Sequence, residues 1–431
     1  VAIHRELRIT AIWPGFHSAA YGLAVDVGST TIAMHLCDLS TGVVVASSGM
    51  MNPQIRFGED LMSRVSYVMM NPGGEEVLTK VVREGINKLI ANVTTSADIN
   101  PMDVLNVVFV GNPIMHHLLL GIDPTELGGA PFALTTNSGL TVWATELDLA
   151  CNPDGRVYFL PCIAGHVGAD TTAVILSEAP HKQENVTLIV DVGTNAELVL
   201  GNNERMLTAS SPTGPAFEGA QIACGQRAAP GAIERVRINP KTFKTRFKVI
   251  GCDLWSDEYG FDEKTASFGV TGICGSGIIE VLAEMYLAGI LTTDGIIDGS
   301  LVETNPFIVP EGRTFAFVMH EDAESPIKVY QTDVRAIQLA KAALYAGAKL
   351  LMDRFGVETV DRISLTGAFG SHIDIKYAMI LGMIPDCDLN EVKAIGNAAG
   401  VGARIALLNQ SARDEAEELI GQVEKVETAI E

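Results

Sequence analysis

The strongest constraint on this chain is a pattern that occurs twice. Tyr21-Gly-Leu-Ala-Val-Asp-Val-Gly-Ser-Thr-Thr-Ile-Ala-Met reads as strand, tight glycine turn, strand. A Ser-Thr-Gly turn and a third strand follow it. Val186-Thr-Leu-Ile-Val-Asp-Val-Gly-Thr-Asn-Ala-Glu-Leu-Val-Leu-Gly repeats the order, with Asp191 lying 165 residues after Asp26. That interval is too long for a solenoid repeat and suits duplication of a whole lobe. The 431 residues are enough for two or three domains, and 47% hydrophobic with 19% charged residues is the balance of packed cores rather than disorder. The expected fold is therefore α/β, with two related lobes.

Between the hairpins, helical and strand periodicities alternate. Residues 58–70 and 75–94 read as amphipathic helices, 104–110 as a buried strand and 125–130 as loop. Residues 156–161 read as a strand, and a glycine-containing loop from Gly165 enters a helix after Asp170. In the second half come a Gly/Pro-rich stretch (211–231), a more β-like insertion (232–270), and the loop Gly272-Ile-Cys-Gly-Ser-Gly entering a helix at Ile278. A long helix over 332–356 precedes a short strand, 363–366, which runs into Gly367-Ala-Phe-Gly. A small-residue helix spans 397–408, and the last 18 or so residues form an acidic helix or tail. The first lobe is expected over 21–185 and the second over 186–395, with 396–431 packing back on the first. Residues 1–20, which begin at Val1 and include Pro14-Gly15, read as the end of an upstream linker or domain.

Charge and cysteine usage exclude several classes. A formal net charge of -22 speaks against nucleic acid, which is gripped through clustered Lys and Arg. No run of 18 or more apolar residues predicts a membrane span. The seven cysteines never approach the spacing of a zinc or iron–sulfur site built within one chain. They read as reduced core thiols of a cytoplasmic protein. Cys224 and Cys274, each beside glycine, could also approach a ligand or bridge subunits through a cluster.

The chemistry concentrates in the turns. Asp26 ends a strand, Gly28 lets the backbone come close to a ligand, and Ser29, Thr30 and Thr31 can present hydroxyls and N–H groups to phosphate. A carboxylate beside phosphate is best used to hold Mg²⁺ or its waters, so Asp26 and Asp191 are the candidate metal and catalytic carboxylates. Gly193, Thr194 and Asn195 form the second such turn. One Asp-x-Gly turn alone would be ordinary structure; two copies point to a polyphosphate. Gly367, Ala368, Phe369 and Gly370 permit close approach to a flat ring, although a plain strand-to-helix turn has the same look. Gly275 and Ser276 lie in another glycine-rich loop, which lacks the Gly-Lys-Ser/Thr ending of a P-loop. Asp170 serves either as a helix cap or in placing water or Mg²⁺, and Lys341 either as a solvated helix face or as a nucleotide contact. His116 and His117, on one helix, read as packing or exposed residues.

Taken in order, the two hairpins, the glycine-rich loop and the Gly-x-x-Gly strand end resemble the superfamily of acetate and sugar kinases, Hsp70 and actin. The resemblance covers about residues 21–405. It implies a two-lobed actin-like, ribonuclease H-like ATPase fold with a duplicated mixed sheet flanked by helices, binding ATP and Mg²⁺. The stretches Val110-Gly-Asn-Pro-Ile-Met-His-His, Pro161-Cys-Ile-Ala-Gly-His-Val-Gly-Ala-Asp, Asp191-Val-Gly-Thr-Asn-Ala-Glu and Asp333-Val-Arg-Ala-Ile-Gln-Leu-Ala-Lys look like the ATP-binding region of reductive activators of corrinoid proteins. That resemblance implies an ATPase that helps return Co(II) of a corrinoid methyltransferase system to Co(I). Its partners would be a corrinoid protein and an electron donor, and a homodimer is among the arrangements it allows. The [2Fe–2S] domain typical of that family would lie in an N-terminal region that this chain lacks. A small-molecule kinase using Asp170, a nucleotide-binding scaffold, and a dehydratase-type activator with a subunit-bridging [4Fe–4S] cluster at Cys224 or Cys274 remain alternatives.

Overall fold

In the computed structural model the described residues are 2–5, 8–193, 195–322, 325–370 and 372–428, with side chains for all of them except 2–5, 8, 368 and 369. The chain divides into two compact units. Unit 1 comprises Val1–Glu184, Gly201–Thr208 and Asn397–Val426; unit 2 comprises Asn185–Leu200, Ala209–Gly396 and Glu427–Glu431.

Unit 1 opens with an antiparallel hairpin of β1 (Ala2–Arg5) and β2 (Arg8–Ile12). Its main sheet uses β3 (Tyr21–Val27), β4 (Thr31–Asp38), β5 (Val44–Met51), β6 (Val104–Gly111), β7 (Leu140–Trp143) and β8 (Arg156–Phe159), in the order β5-β4-β3-β6-β8-β7. Strand β3 is antiparallel to β4 and parallel to β6. Its apolar run is buried at Leu23, Ala24, Val25 and Val27, which suits a central strand covered on both faces. One cover is α2 (Gly74–Ser96), with α1 (Leu61–Met70) beside it. Leu78, Val82, Ile86, Leu89 and Val93 recur at three- and four-residue spacing along α2 and join Leu23, Val25, Ile32 and Met34 in one core. Two further helices, α3 (Pro113–Leu120) and α4 (Ala169–Glu178), follow β6 and β8.

The second copy of the hairpin pattern is β9 (Thr187–Val192), β10 (Ala196–Gly201) and β11 (Met206–Ser211); β9 and β10 up to Leu200 open unit 2, whereas Gly201 and Met206–Thr208 belong to unit 1. The expected insertion is β12 (Ala232–Ile238), β13 (Thr245–Val249) and a short helix, α5 (Phe261–Thr265). Strand β14 (Gly272–Ile273) pairs parallel with β12 and leads into α6 (Gly275–Leu287), which starts three residues before the expected Ile278. Then come an antiparallel sheet of β15 (Ile308–Glu311), β16 (Thr314–His320) and β17 (Ile327–Tyr330), and the long helix α7 (Gln331–Phe355). Buried Asp333, in the first turn of α7, accepts the N–H groups of Tyr330 at 2.8 Å and Ala223 at 2.9 Å, so it fixes where the helix begins. Strand β18 (Arg362–Thr366) lies parallel between β9 and β19 (Val392–Ala394), with α8 (Gly367–Gly370) and α9 (Ile375–Ile380) in the connection.

The chain then completes unit 1 with α10 (Ala398–Leu408), α11 (Gln410–Ile420) and β20 (Val423–Lys425). Helix α10 packs on α4 and on strands β3 and β6. Strand β20 pairs parallel with Met206, Leu207 and Thr208. The sequence pattern shows no such strand, because three residues are too few to display a period.

Candidate functional site

The turn joining β3 to β4 is built from behind. Its four carbonyls are all occupied by this chain's own donors. The Thr31 carbonyl takes Gly28 N–H at 3.0 Å, and the Thr30 carbonyl takes Asn52 N–H at 2.8 Å. Gly28 O accepts Asn52 Nδ2 at 2.9 Å, and Ser29 O accepts Arg64 Nη2. A Cβ on residue 28 would lie 2.7 Å from the Thr31 oxygen, so the turn closes only with glycine there. With the carbonyls turned inward, the N–H groups of Ser29 and Thr30 have no acceptor among the described residues. Two free amides on a tight turn form a small positive concavity suited to an anion.

Arg64 is the post behind this turn. It is fully buried. Besides Ser29 O, it donates from Nε to Gly58 O at 3.0 Å and from Nη1 to Gln54 Oε1 at 3.3 Å. Burial lowers its guanidinium to about 10, against the opposing pull of Asp60. It therefore stays charged at neutral pH, held by carbonyl and amide oxygens rather than by a carboxylate.

A pair of carboxylates stands beside the turn. Asp26 is the penultimate residue of β3, and Asn397 Nδ2 donates to its Oδ2 at 2.8 Å. Asn397 is also the cap of α10, taking Gly400 N–H on Oδ1 at 2.7 Å, so the helix cap and the carboxylate clamp are one residue. Burial pushes the Asp26 carboxyl up to about 6, with the Asn397 hydrogen bond working against the rise. Asp170 sits in the first turn of α4. Register pairs Val27 with Gly111, and Gly168 presses so closely on Gly111 and Asn112 that a Cβ would lie 2.6 Å from Asn112 Cα. This contact brings the start of α4 to the end of β3. Burial lifts the Asp170 carboxyl well above the usual carboxylate range; Thr171 N–H lowers it and the Asp26 charge adds to the rise. Two carboxyls raised in this way are a fit for a divalent cation, whose charge would restore both to the ionised form. Among the described residues no group of three or more His, Cys, Asp or Glu could hold a metal. A cation here would complete its shell with water or phosphate oxygens, which is the habit of Mg²⁺.

The second hairpin repeats the strategy within unit 2. Gly193 N–H donates to Asn195 O at 3.1 Å, and Thr213 Oγ1 donates to Gly193 O at 3.2 Å. Thr194 lies outside the described residues. Asp191, the penultimate residue of β9, lies opposite Thr366 of β18, and Gly367 follows Thr366 with φ +89°. A Cβ on residue 367 would press on the Asp191 carboxylate, so glycine both allows the left-handed turn and leaves the acid room. Gly367 N–H and Thr366 Oγ1 share the Gly396 carbonyl at 3.2 and 2.7 Å. The side chains of Ala368 and Phe369 fall outside the description; Gly370 closes the turn as the last residue of α8.

The remaining candidates are engaged elsewhere. Lys341 Nζ donates to Leu381 O at 2.5 Å, and burial lowers its ammonium. Gly275 opens α6, and the buried Ser276 hydroxyl lies 3.4 Å from Cys274 Sγ. That sulfur also contacts Ile233 O at 3.2 Å, which ties it to β12. All seven cysteines are free, and five of them, including Cys274, are buried. His116 and His117 pack inside unit 1: His117 donates from Nδ1 to Pro113 O at 2.9 Å and accepts Thr135 N–H on Nε2 at 3.1 Å. Arg64, Asn52 and Asn397 were not marked by the sequence. Asn397 does carry a local signal, a cap residue ahead of a small-residue helix, but its contact with Asp26 spans 371 positions.

Comparison with known proteins gives the family. Residues 185–431 match the family model described as the C-terminal domain of RACo, the ASKHA domain, and residues 21–183 match the RACo middle region. The chain belongs to the RACo family. Its fold is the actin-like ASKHA fold, α/β with mixed sheets flanked by helices. A corrinoid activation enzyme, RamQ, from Eubacterium limosum is 35% identical over 401 residues, 90% of this chain and 64% of that protein. A [Co(II) methylated amine-specific corrinoid protein] reductase from Methanosarcina barkeri is 26% identical over 423 residues, 94% of this chain and 73% of that one. Among solved structures, a reductive activator for corrinoid, iron–sulfur protein superposes with a TM-score of 0.84 at 33% identity, covering 98% of this chain and 66% of its own. The chain thus spans 64% of the RamQ relative and 66% of that activator.

Proposed function

We propose that this chain binds and hydrolyses ATP with Mg²⁺ and couples the nucleotide to reductive activation of a corrinoid protein, in which one electron from a donor converts Co(II) to Co(I). The observation that carries the reading is the back-sealed turn of residues 28–31 beside Asp26 and Asp170, in a chain matching the RACo family on both sides of residue 184. The N–H groups of Ser29 and Thr30 receive phosphate oxygens. Asp26, steadied by Asn397, and Asp170 hold the cation or its waters, and Mg²⁺ when bound supplies charge neutralisation for phosphoryl transfer. Asp191 with Gly193, Thr194 and Asn195 makes a second phosphate-facing turn, and Gly367–Gly370 takes the nucleoside. Residues 21–185 and 186–395 are then the two lobes of the ATPase, with 396–431 returning to the first. Seven free thiols suit the reducing cytoplasm.

The coupling can be no larger than the difference in the corrinoid protein's affinity for the two nucleotide states. Steady-state ATP hydrolysis, with and without a Co(II)-state corrinoid protein from the same source, tests it. Stimulation by the partner, lost in Asp26→Asn, is the expected result. Mg²⁺-dependent hydrolysis at the wild-type rate in Asp26→Asn would remove the site assignment, and indifference to the partner would remove the coupling.

A further inference from the structure

Strands β12 and β13 carry a cluster of cations that ATP binding leaves unused. Register sets Arg235 opposite Lys248 and Arg237 opposite Arg246. Alternation along each strand places all four on one face, while Val236 and Phe247 are buried on the other. Trp255 lies among them. Its ring centroid is 4.7 Å from the Arg246 guanidinium, 5.4 Å from the Lys248 ammonium and 5.7 Å from the Arg237 guanidinium.

Only two of these four cations, Arg235 and Arg237, are held by a carboxylate among the described residues. Buried Glu280 of α6 takes Arg235 at 2.8 Å and Arg237 at 2.5 Å, and also accepts Val236 N–H at 2.8 Å. Glu284, one turn further, accepts Ile238 N–H at 2.8 Å and the Tyr377 hydroxyl. Glu258 is taken by the Trp255 N–H at 3.1 Å. Arg246 and Lys248 have no carboxylate partner among the described residues. Like charges set directly opposite one another across a ladder disfavour folding, so an external anion would relieve this ribbon. The cluster is also out of keeping with its surroundings, in a chain of 52 acidic and 30 basic residues.

We infer that this face docks an extended acidic segment of a partner protein. The cations stand about 7 Å apart along each strand, which is the spacing of same-side carboxylates on an extended chain. Arginine forks match carboxylates in two parallel hydrogen bonds. Arginine, tryptophan and tyrosine are the residues that anchor protein interfaces, and Tyr259, 97% exposed, stands four residues beyond Trp255. A nucleic-acid strand would meet the repulsion of the whole chain at -22 over its length, whereas a short acidic segment meets only the local field.

The test uses the full chain and a fluorescein-labelled decapeptide of alternating Glu and Thr, read by fluorescence anisotropy at about 0.15 M salt. The Debye length is then about 8 Å, so distant carboxylates are screened. Saturable binding is expected, weakened about tenfold or more by combined Arg246→Gln and Lys248→Gln and also weakened by Trp255→Ala. The double variant should melt no lower than wild type, because it removes opposed like charges, and this separates lost docking from lost folding. Absence of saturable binding, or unchanged affinity in the double variant, overturns the inference. So does equal binding of a single-stranded oligonucleotide of matched charge through the same residues.

Discussion

Asp26 shows how one residue can be placed at the expense of the fold that holds it. Its carboxyl titrates near 6 in the structure against 3.8 for the ordinary group, because burial outweighs the help of Asn397. Below 3.8 both folded and unfolded chains are protonated, and nothing is lost. As pH rises towards 6 the unfolded chain ionises first, so stability falls across that window and stays reduced above it. Asparagine cannot ionise and escapes the loss. In metal-free solution Asp26→Asn should therefore be more stable than wild type near pH 7, by on the order of 2 kcal/mol, with the gap closing towards pH 4. Urea titrations across that range measure it, and a gap that does not change with pH would refute the assignment. Part of the relief would come from Asp170, whose carboxyl loses the field of its neighbour. The carboxylates are visible in the sequence because each ends or begins a regular element. Arg64 is not: nothing about an arginine in an amphipathic helix tells that it is fully buried behind a turn 35 residues away.

At the scale of elements, what could be read in advance is what a local period encodes. The paired hairpins, α2 and α7 announce themselves through strand alternation, glycine turns and three- or four-residue apolar spacing. The sheet of β15, β16 and β17 gave no such signal, and neither did β20; short strands are defined by partners and not by their own pattern. Helix α10 lies between these cases. Its small residues mark a helix, but the reason for them is spatial: a Cβ on Gly402 would sit on the Ala173 carbonyl of α4, so the two helices touch backbone to backbone. Gly402→Val should force α10 from α4 and cost about 1–3 kcal/mol, with Gly402→Ala costing less. The same movement would loosen Asn397, at the head of α10, from Asp26. Val401, 40% exposed one position earlier, supplies the control, since its replacement by alanine should be nearly silent. A denaturation midpoint unchanged in Gly402→Val would mean that the close approach contributes nothing to unit 1.

For the molecule as a whole, the consequence of this packing is that neither unit is one continuous stretch of chain. Unit 1 draws on Val1–Glu184, on Gly201–Thr208 and on Asn397–Val426. Its sheet is covered on one face by α2 from the first stretch, whereas α10, from the last, packs on β3, β6 and α4. A fragment of residues 1–184 would therefore leave an apolar face of the sheet in water and Asp26 without its asparagine. That uncovered surface takes away part of the burial that offsets chain entropy. The fragment should bind a hydrophobic dye and unfold with weak cooperativity, and addition of a peptide of residues 397–426 should suppress the dye signal and sharpen the transition. Circular dichroism melts of fragment, peptide and mixture decide the matter. A fragment that melts alone as sharply as the full chain would show that the returning C-terminal segment is an ornament of unit 1. Recovery only on mixing would show that the first hairpin and its carboxylates are finished by residues nearly four hundred positions downstream, so that the candidate site forms only once almost all of the chain is present.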